Sequence, residues 1–164
     1  MSYWDTSCLI NLYTPEPDSQ LFRDFLDTGT SCVTCDITPL EFWAAVRRKE
    51  SEEVLAPGEA RKLQTALESD LADGLIEMTS CGAAVRIRFD EIVDLCHSQV
   101  PPVFIRTNDA MHLAAAHCAG ETEIVATDKR LREAALALGH KLFPPAESSP
   151  TTTPTNPPGL DFSC

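Results

Sequence analysis

The sequence predicts an α/β fold in which a mainly parallel sheet is covered by helices. Three observations carry that expectation. Short apolar, β-branched or aromatic segments alternate with longer segments of helical periodicity. The length, 164 residues, suits one compact domain. No internal repeat divides the chain.

The elements follow in order. Ser2 to Asp5 is short and aromatic, is followed by turn formers, and predicts the first strand. Pro15 to Pro17 opens a helix carrying Leu21, Phe22, Phe25 and Leu26. Cys32 to Cys35, with Ile37, predicts a second strand. Thr38-Pro39-Leu40-Glu41 marks a helix start, with Thr as N-cap, Pro at the first helical position and Glu three residues after the cap. Leu40, Trp43, Ala44 and Arg47 share one face of that helix. Pro57 opens another, with Ala60, Leu63, Leu67 and Leu71 at helical spacing. Leu75 to Met78 predicts a short strand. Val85, Phe89, Ile92 and Cys96 mark a helix that Pro101-Pro102 ends. Asn108 begins a helix in which Ala110, Leu113, Ala114 and His117 share a face. Glu123 to Thr127 predicts a strand, Lys129 to Leu138 a helix, and Lys141 to Phe143 a last strand. Residues 144–164 carry six prolines amid Ser and Thr with almost no apolar periodicity. Such a composition buries too little surface to offset its ordering entropy, so a disordered tail is expected beyond a folded unit of residues 1–143.

Composition narrows the function. Thirteen Lys plus Arg against 25 Asp plus Glu leave a net charge of −12. That excludes a generally basic nucleic-acid-binding surface and disfavours an anionic membrane. No segment approaches the roughly 18 apolar residues of a membrane helix, and the N-terminus lacks a basic, then apolar, signal pattern. A cytoplasmic protein with no membrane partner is expected, and its seven cysteines read as reduced thiols.

Four acids stand at strand-to-helix junctions on one edge of the predicted sheet. Asp5 ends the first strand, Glu41 and Asp109 open helices, and Asp128 follows the strand at Ile124. Ligands of parallel sheets bind beyond this edge. Each acid also has a local explanation. Glu41 completes a capping box, Asp109 suits a helix dipole, Asp128 caps the next helix, and Asp5 with Thr6 and Ser7 forms an Asx-type turn. Capping does not account for all four sharing an edge. Converging carboxylates repel unless a cation lies among them, and hard oxygen donors select Mg²⁺ or Mn²⁺. Such ions acidify water and compensate charge in phosphodiester hydrolysis.

The segments Tyr3-Trp4-Asp5-Thr6-Ser7, Ile37 to Phe42, Arg106 to Ala116 and Ala126 to Leu131 resemble the PIN domain. More narrowly they resemble the VapC-type ribonuclease toxins of bacterial toxin–antitoxin pairs. The resemblance implies a three-layer α/β/α sandwich and a Mg²⁺- or Mn²⁺-dependent endoribonuclease that leaves 5′-phosphate and 3′-hydroxyl ends. It implies a homodimer and a cognate antitoxin that blocks the site. It carries metal binding onto Asp5, Glu41, Asp109 and Asp128 and the accompanying hydroxyl onto Ser7 (or Thr6); the family's second hydroxyl position, two residues before the last acid, holds Ala126 here, with Thr127 adjacent as the candidate.

Other signals carry less. Cys32 and Cys35 lie three apart in a predicted strand, where they face opposite sides. His112, in the apolar run Met111 to Ala116, reads as a packed histidine rather than a ligand. Arg47-Arg48-Lys49, followed by Glu50, Glu52 and Glu53, reads as a solvated helix face. Lys129 and Arg130, with Arg132, begin beside Asp128 and are candidates for RNA phosphates, as is Arg106. Two alternatives stay open. One is a phosphatase or phosphotransfer domain, against which Ser7 stands where a haloacid-dehalogenase-like pattern has a second Asp. The other is a catalytically silent PIN-like binding module.

Overall fold

The computed structural model describes residues 2–145. Its elements run β1 (Ser2–Trp4), α1 (Thr6–Tyr13), α2 (Ser19–Asp27), β2 (Cys32–Cys35), α3 (Thr38–Ser51), α4 (Glu59–Ala72), β3 (Ile76–Thr79), α5 (Ala83–His97), α6 (Thr107–Cys118), β4 (Glu123–Val125), α7 (Lys129–Ala137) and β5 (Lys141–Phe143). The five strands pair in the order β3-β2-β1-β4-β5, and every pairing is parallel.

Alternation along the strands divides the interior into two layers. Tyr3, Val33, Cys35, Ile124 and Leu142 face a core shared with α5, α6 and α7. Trp4, Cys32, Val125 and Phe143 face the opposite core, shared with α1 to α4. The result is the expected α/β/α sandwich. The two cysteines of the C-x-x-C segment lie in different cores, and all six described cysteines are free. Among the described residues no helix is long and apolar enough to cross a membrane.

Strand order sets the place of the site. Successive strands move outward from β1 to β3, and the chain then returns to the other side of β1 with β4. This reversal opens a crevice at the carboxyl ends of β1 and β4, the usual ligand position of such sheets. Asp5 and Asp128 follow those two strands.

Several elements differ from expectation. Thr6 to Tyr13 is a helix rather than a turn, because Asp5 caps it by accepting from the Ser7 amide at 3.2 Å. Helix α2 begins at Ser19, past the prolines. Thr38 is the first residue of α3 rather than its cap, and its hydroxyl pairs with Thr34 at 2.6 Å. The buried stripe of α3 is Thr38, Phe42 and Val46, so of the predicted face Leu40, Ala44 and Arg47 point outward, and Trp43 lies half-buried at the edge of the core. Leu40 is 70% exposed, and the Trp43 ring packs under the guanidinium of Arg61 at 4.2 Å. Strand β3 starts one residue later than expected and β4 stops at Val125. Helix α6 buries Ala110 and every residue from His112 to Ala116, which places it in the middle of its layer. Of the expected tail, residues 146–164 lie outside the described residues.

Candidate active site

A cleft of about 550 Å³ opens at the carboxyl ends of β1 and β4. Asp5, Glu41, Asp109 and Asp128 all line it, with Ser7, Thr127 and Arg106. Four elements that are distant in sequence therefore bring the predicted acids together.

Asp5 and Asp128 each hold two roles. Asp5 Oδ2 accepts from the Ser7 amide and from the Ser7 hydroxyl at the start of α1. Asp128 Oδ1 accepts from the amides of Arg130 and Leu131 at 2.9 and 3.1 Å and so caps α7. These two acids thus cap helices and line the cleft at once. Two helix N-termini, with their positive dipole ends, consequently border the cleft. The Ser7 and Thr127 hydroxyls lie 3.5 Å apart.

Glu41 makes no capping box. Its Oε2 accepts from Thr6 Oγ1 at 2.5 Å and His112 Nε2 at 2.8 Å, and its Oε1 accepts from Asn108 Nδ2 at 2.6 Å. Burial opposes ionisation of Glu41, but these bonds and the charge of His112 hold its pKa below the ordinary value. His112 is almost wholly buried, and its Nδ1 hydrogen-bonds the Tyr3 hydroxyl at 2.8 Å. Burial disfavours charge on His112, yet its bonds to Cys35 and Glu41 and the charge of Asp5 raise its pKa to about 10.

Asp109 has the opposite surroundings. Its Oδ2 is buried with no hydrogen-bond partner. Burial and the charge of Asp128 push its pKa up, and Asp5 adds to the effect. An orphaned carboxylate oxygen beside two further carboxylates is costly in a closed protein and ordinary beside a cation. The donors are hard oxygens, as Mg²⁺ or Mn²⁺ requires. Asp5 and Glu41, together with His112, also place ligand atoms within 4.8 Å of one another. The residues present therefore fit a divalent cation.

The basic candidates separate. Arg106 lines the cleft. Lys129 is 88% exposed and faces Glu133 at 3.7 Å, and Arg130 lines a different groove with Pro101 and Phe104. Arg132 is structural: it donates to the carbonyls of Ala126 and Pro144 and ties off two strand ends. Arg48 and Lys49 line the cleft, contrary to their expected role as a solvated face. Lys49 pairs there with Glu16 at 2.5 Å. Sequence spacing missed these two because it does not reveal which way the end of α3 leans. It also missed Asn108, whose only signal was its place beside Asp109.

A smaller cleft of about 310 Å³, lined by Arg88, His117 and His140, lies near the opposite ends of the strands. Residues following α6 and α7 wall it, so the negative ends of two helix dipoles oppose an anion there.

The sequence model of the PIN domain family matches residues 2–136. The chain belongs to the PIN domain family. This PIN domain is 29% identical over 155 residues to Ribonuclease VapC35 of Mycobacterium tuberculosis, an alignment that covers 90% of this chain and 99% of that one. Its fold is similar to that of M. tuberculosis VapC20, described as a sarcin-ricin loop cleaving toxin, with a TM-score of 0.61 at 13% identity over 82% of this chain and 95% of that one. It is also similar to FitAcB from Neisseria gonorrhoeae, with a TM-score of 0.58 at 19% identity over 82% and 93% of the two chains. A toxin–antitoxin complex from Klebsiella pneumoniae gives a TM-score of 0.55 at 14% identity over 78% and 87%.

Proposed function

We propose that residues 1–143 of this PIN domain form a metal-dependent endoribonuclease, the toxin of a bacterial toxin–antitoxin pair acting in the cytoplasm. The observation that carries the reading is the convergence of Asp5, Glu41, Asp109 and Asp128 on one cleft, with a buried Asp109 oxygen left unpartnered. The likeness to Ribonuclease VapC35 along nearly the whole chain supports RNA as the substrate.

In this reading the four acids hold Mg²⁺ or Mn²⁺, which supplies acidified water and charge compensation at phosphorus. Thr127 donates a hydrogen bond that orients the scissile phosphate, and Ser7, whose one hydroxyl proton goes to Asp5 Oδ2, orients water through its remaining lone pair. The N-termini of α1 and α7 favour that phosphate's charge. Arg106 and Arg48, with Lys49, bind flanking phosphates at the rim. Lys129 and Arg130 meet RNA only beyond the cleft. The products carry 5′-phosphate and 3′-hydroxyl ends.

The structural likeness to a toxin–antitoxin complex from Klebsiella pneumoniae supports a cognate antitoxin as partner. An acidic cleft in a chain of charge −12 suits an Arg-rich blocking segment. A homodimer is part of the same proposal, and light scattering of the purified protein measures it.

The test is incubation of purified protein with a mixed RNA pool in Mg²⁺, Mn²⁺ or EDTA. Defined fragments that vanish with EDTA support the proposal. Phosphate release from small esters without RNA cutting, or RNA binding without turnover in either metal, overturns it.

A further inference from the structure

We infer that His112 is a positioning residue: the hydrogen-bonded chain Tyr3–His112–Glu41 fixes Glu41 as a cation ligand through one remaining acceptor site, and the imidazole itself does not ligate. The inference rests on the cation site proposed above.

Proximity alone suggests a different role, since a ring nitrogen of His112 lies close enough to Asp5 and Glu41 to share an ion with them. The hydrogen bonds decide against it. His112 Nε2 lies 2.8 Å from Glu41 Oε2 and 3.6 Å from Asp5 Oδ1, so Glu41 is its partner and Asp5 is not. Nδ1 is taken by Tyr3 at 2.8 Å, with the Cys35 sulfur at 3.6 Å. Both ring nitrogens are therefore engaged. The ring is 1% exposed, and His112 is absent from the lining of the cleft that all four acids share.

Acceptor arithmetic gives the consequence for Glu41. A carboxylate has about four lone-pair sites. Thr6 and His112 occupy Oε2, and Asn108 occupies one site on Oε1. Roughly one site is left for a cation. A Glu at this position without such partners has two rotatable stem bonds to order and is free to chelate through both oxygens. Partners of this kind behind a ligand typically change metal affinity 10–100-fold.

The test measures Mn²⁺ binding by calorimetry for the wild type, His112→Gln, Tyr3→Phe and Asn108→Ala, and electron spin-echo spectra of the Mn²⁺-loaded wild type. Expected are about 10–100-fold weaker Mn²⁺ binding for His112→Gln and about tenfold or smaller losses for the other two. No nitrogen coupling from a coordinated imidazole should appear. Asn108 is exposed, so its variant reports on Glu41 even if a core substitution fails to fold. A coordinated-nitrogen signal makes His112 a ligand and overturns the inference. So does unchanged Mn²⁺ affinity in the variants when the wild type binds. If the wild type itself binds no Mn²⁺, the cation site fails, and this inference fails with it.

Discussion

Glu41 and Asp109 line the same cleft in opposite states of satisfaction. Glu41 accepts three hydrogen bonds from α1 and α6 side chains, and its pKa falls below the ordinary value. Asp109 has a buried oxygen with no partner, and its pKa rises. One carboxylate is held ionised by the protein itself. The other is left to a species the fold does not supply. The difference teaches that one part of the cleft is satisfied by its own hydrogen bonds while another keeps a buried oxygen unmatched at a cost in stability.

Removing an acid that lines the cleft should have the largest effect. Asp109→Asn and Asp5→Asn are each expected to lower RNA cleavage in saturating Mg²⁺ by about 10³-fold, the scale of losing a main source of transition-state charge compensation. Initial rates on a defined RNA check this, and near-wild-type turnover in either variant would remove that acid from the site.

The rim should matter less. Arg48→Ala and Arg106→Ala should each raise KM several-fold with little change in kcat and lower the salt slope of RNA binding by about 1. Lys129→Ala should do neither to a short substrate. An equal effect of Lys129 would move the RNA path away from α3.

Stability separates the two acids most directly. Asp109 has a raised pKa in the folded state, so its charged form weakens the metal-free fold as pH rises through that pKa. Asp109→Asn should therefore raise the Tm of the EDTA-treated protein by a few degrees, whereas Glu41→Gln should lower it by leaving buried donors unmatched. Mn²⁺ should raise the wild-type Tm and leave that of Asp109→Asn nearly unmoved. A drop in Tm for metal-free Asp109→Asn contradicts the comparison.

The dependence of stability on pH separates the two partners of the His112–Glu41 pair. His112 is held above its ordinary 6.5, at about 10, so its contribution is complete below 6.5 and fades as pH rises toward 10. Glu41 is lowered, so its contribution is complete above its ordinary 4.5 and fades in acid. Metal-free wild type should lose stability steadily between pH 6.5 and about 10 in urea titrations, and His112→Gln should flatten that slope.

Much of this site was legible beforehand. Asp5, Glu41, Asp109 and Asp128 were placed on one sheet edge by their position relative to strand-like and helix-like segments, and all four line the cleft. Local patterns failed where two readings share the same residues. The Thr-Pro-Leu-Glu segment matched a capping box, but Glu41 turned to Thr6, Asn108 and His112 instead. Leu40, Trp43 and Arg47 matched a helix face, but Phe42 and Val46 became the buried one.

By itself the sequence determined the alternation of strands and helices, the sheet edge that carries the acids, and the hard-oxygen character of the site. These depend on side-chain type and on periods of two or 3.6 residues, which are local. Only the tertiary structure decided that Arg48 joins the cleft while Lys129 leaves it, that Asp109 lacks a partner while Glu41 has three, and that His112 stands behind Glu41. Those outcomes depend on how separate elements lean and rotate against each other. That packing is set by the whole core rather than by any one segment's spacing.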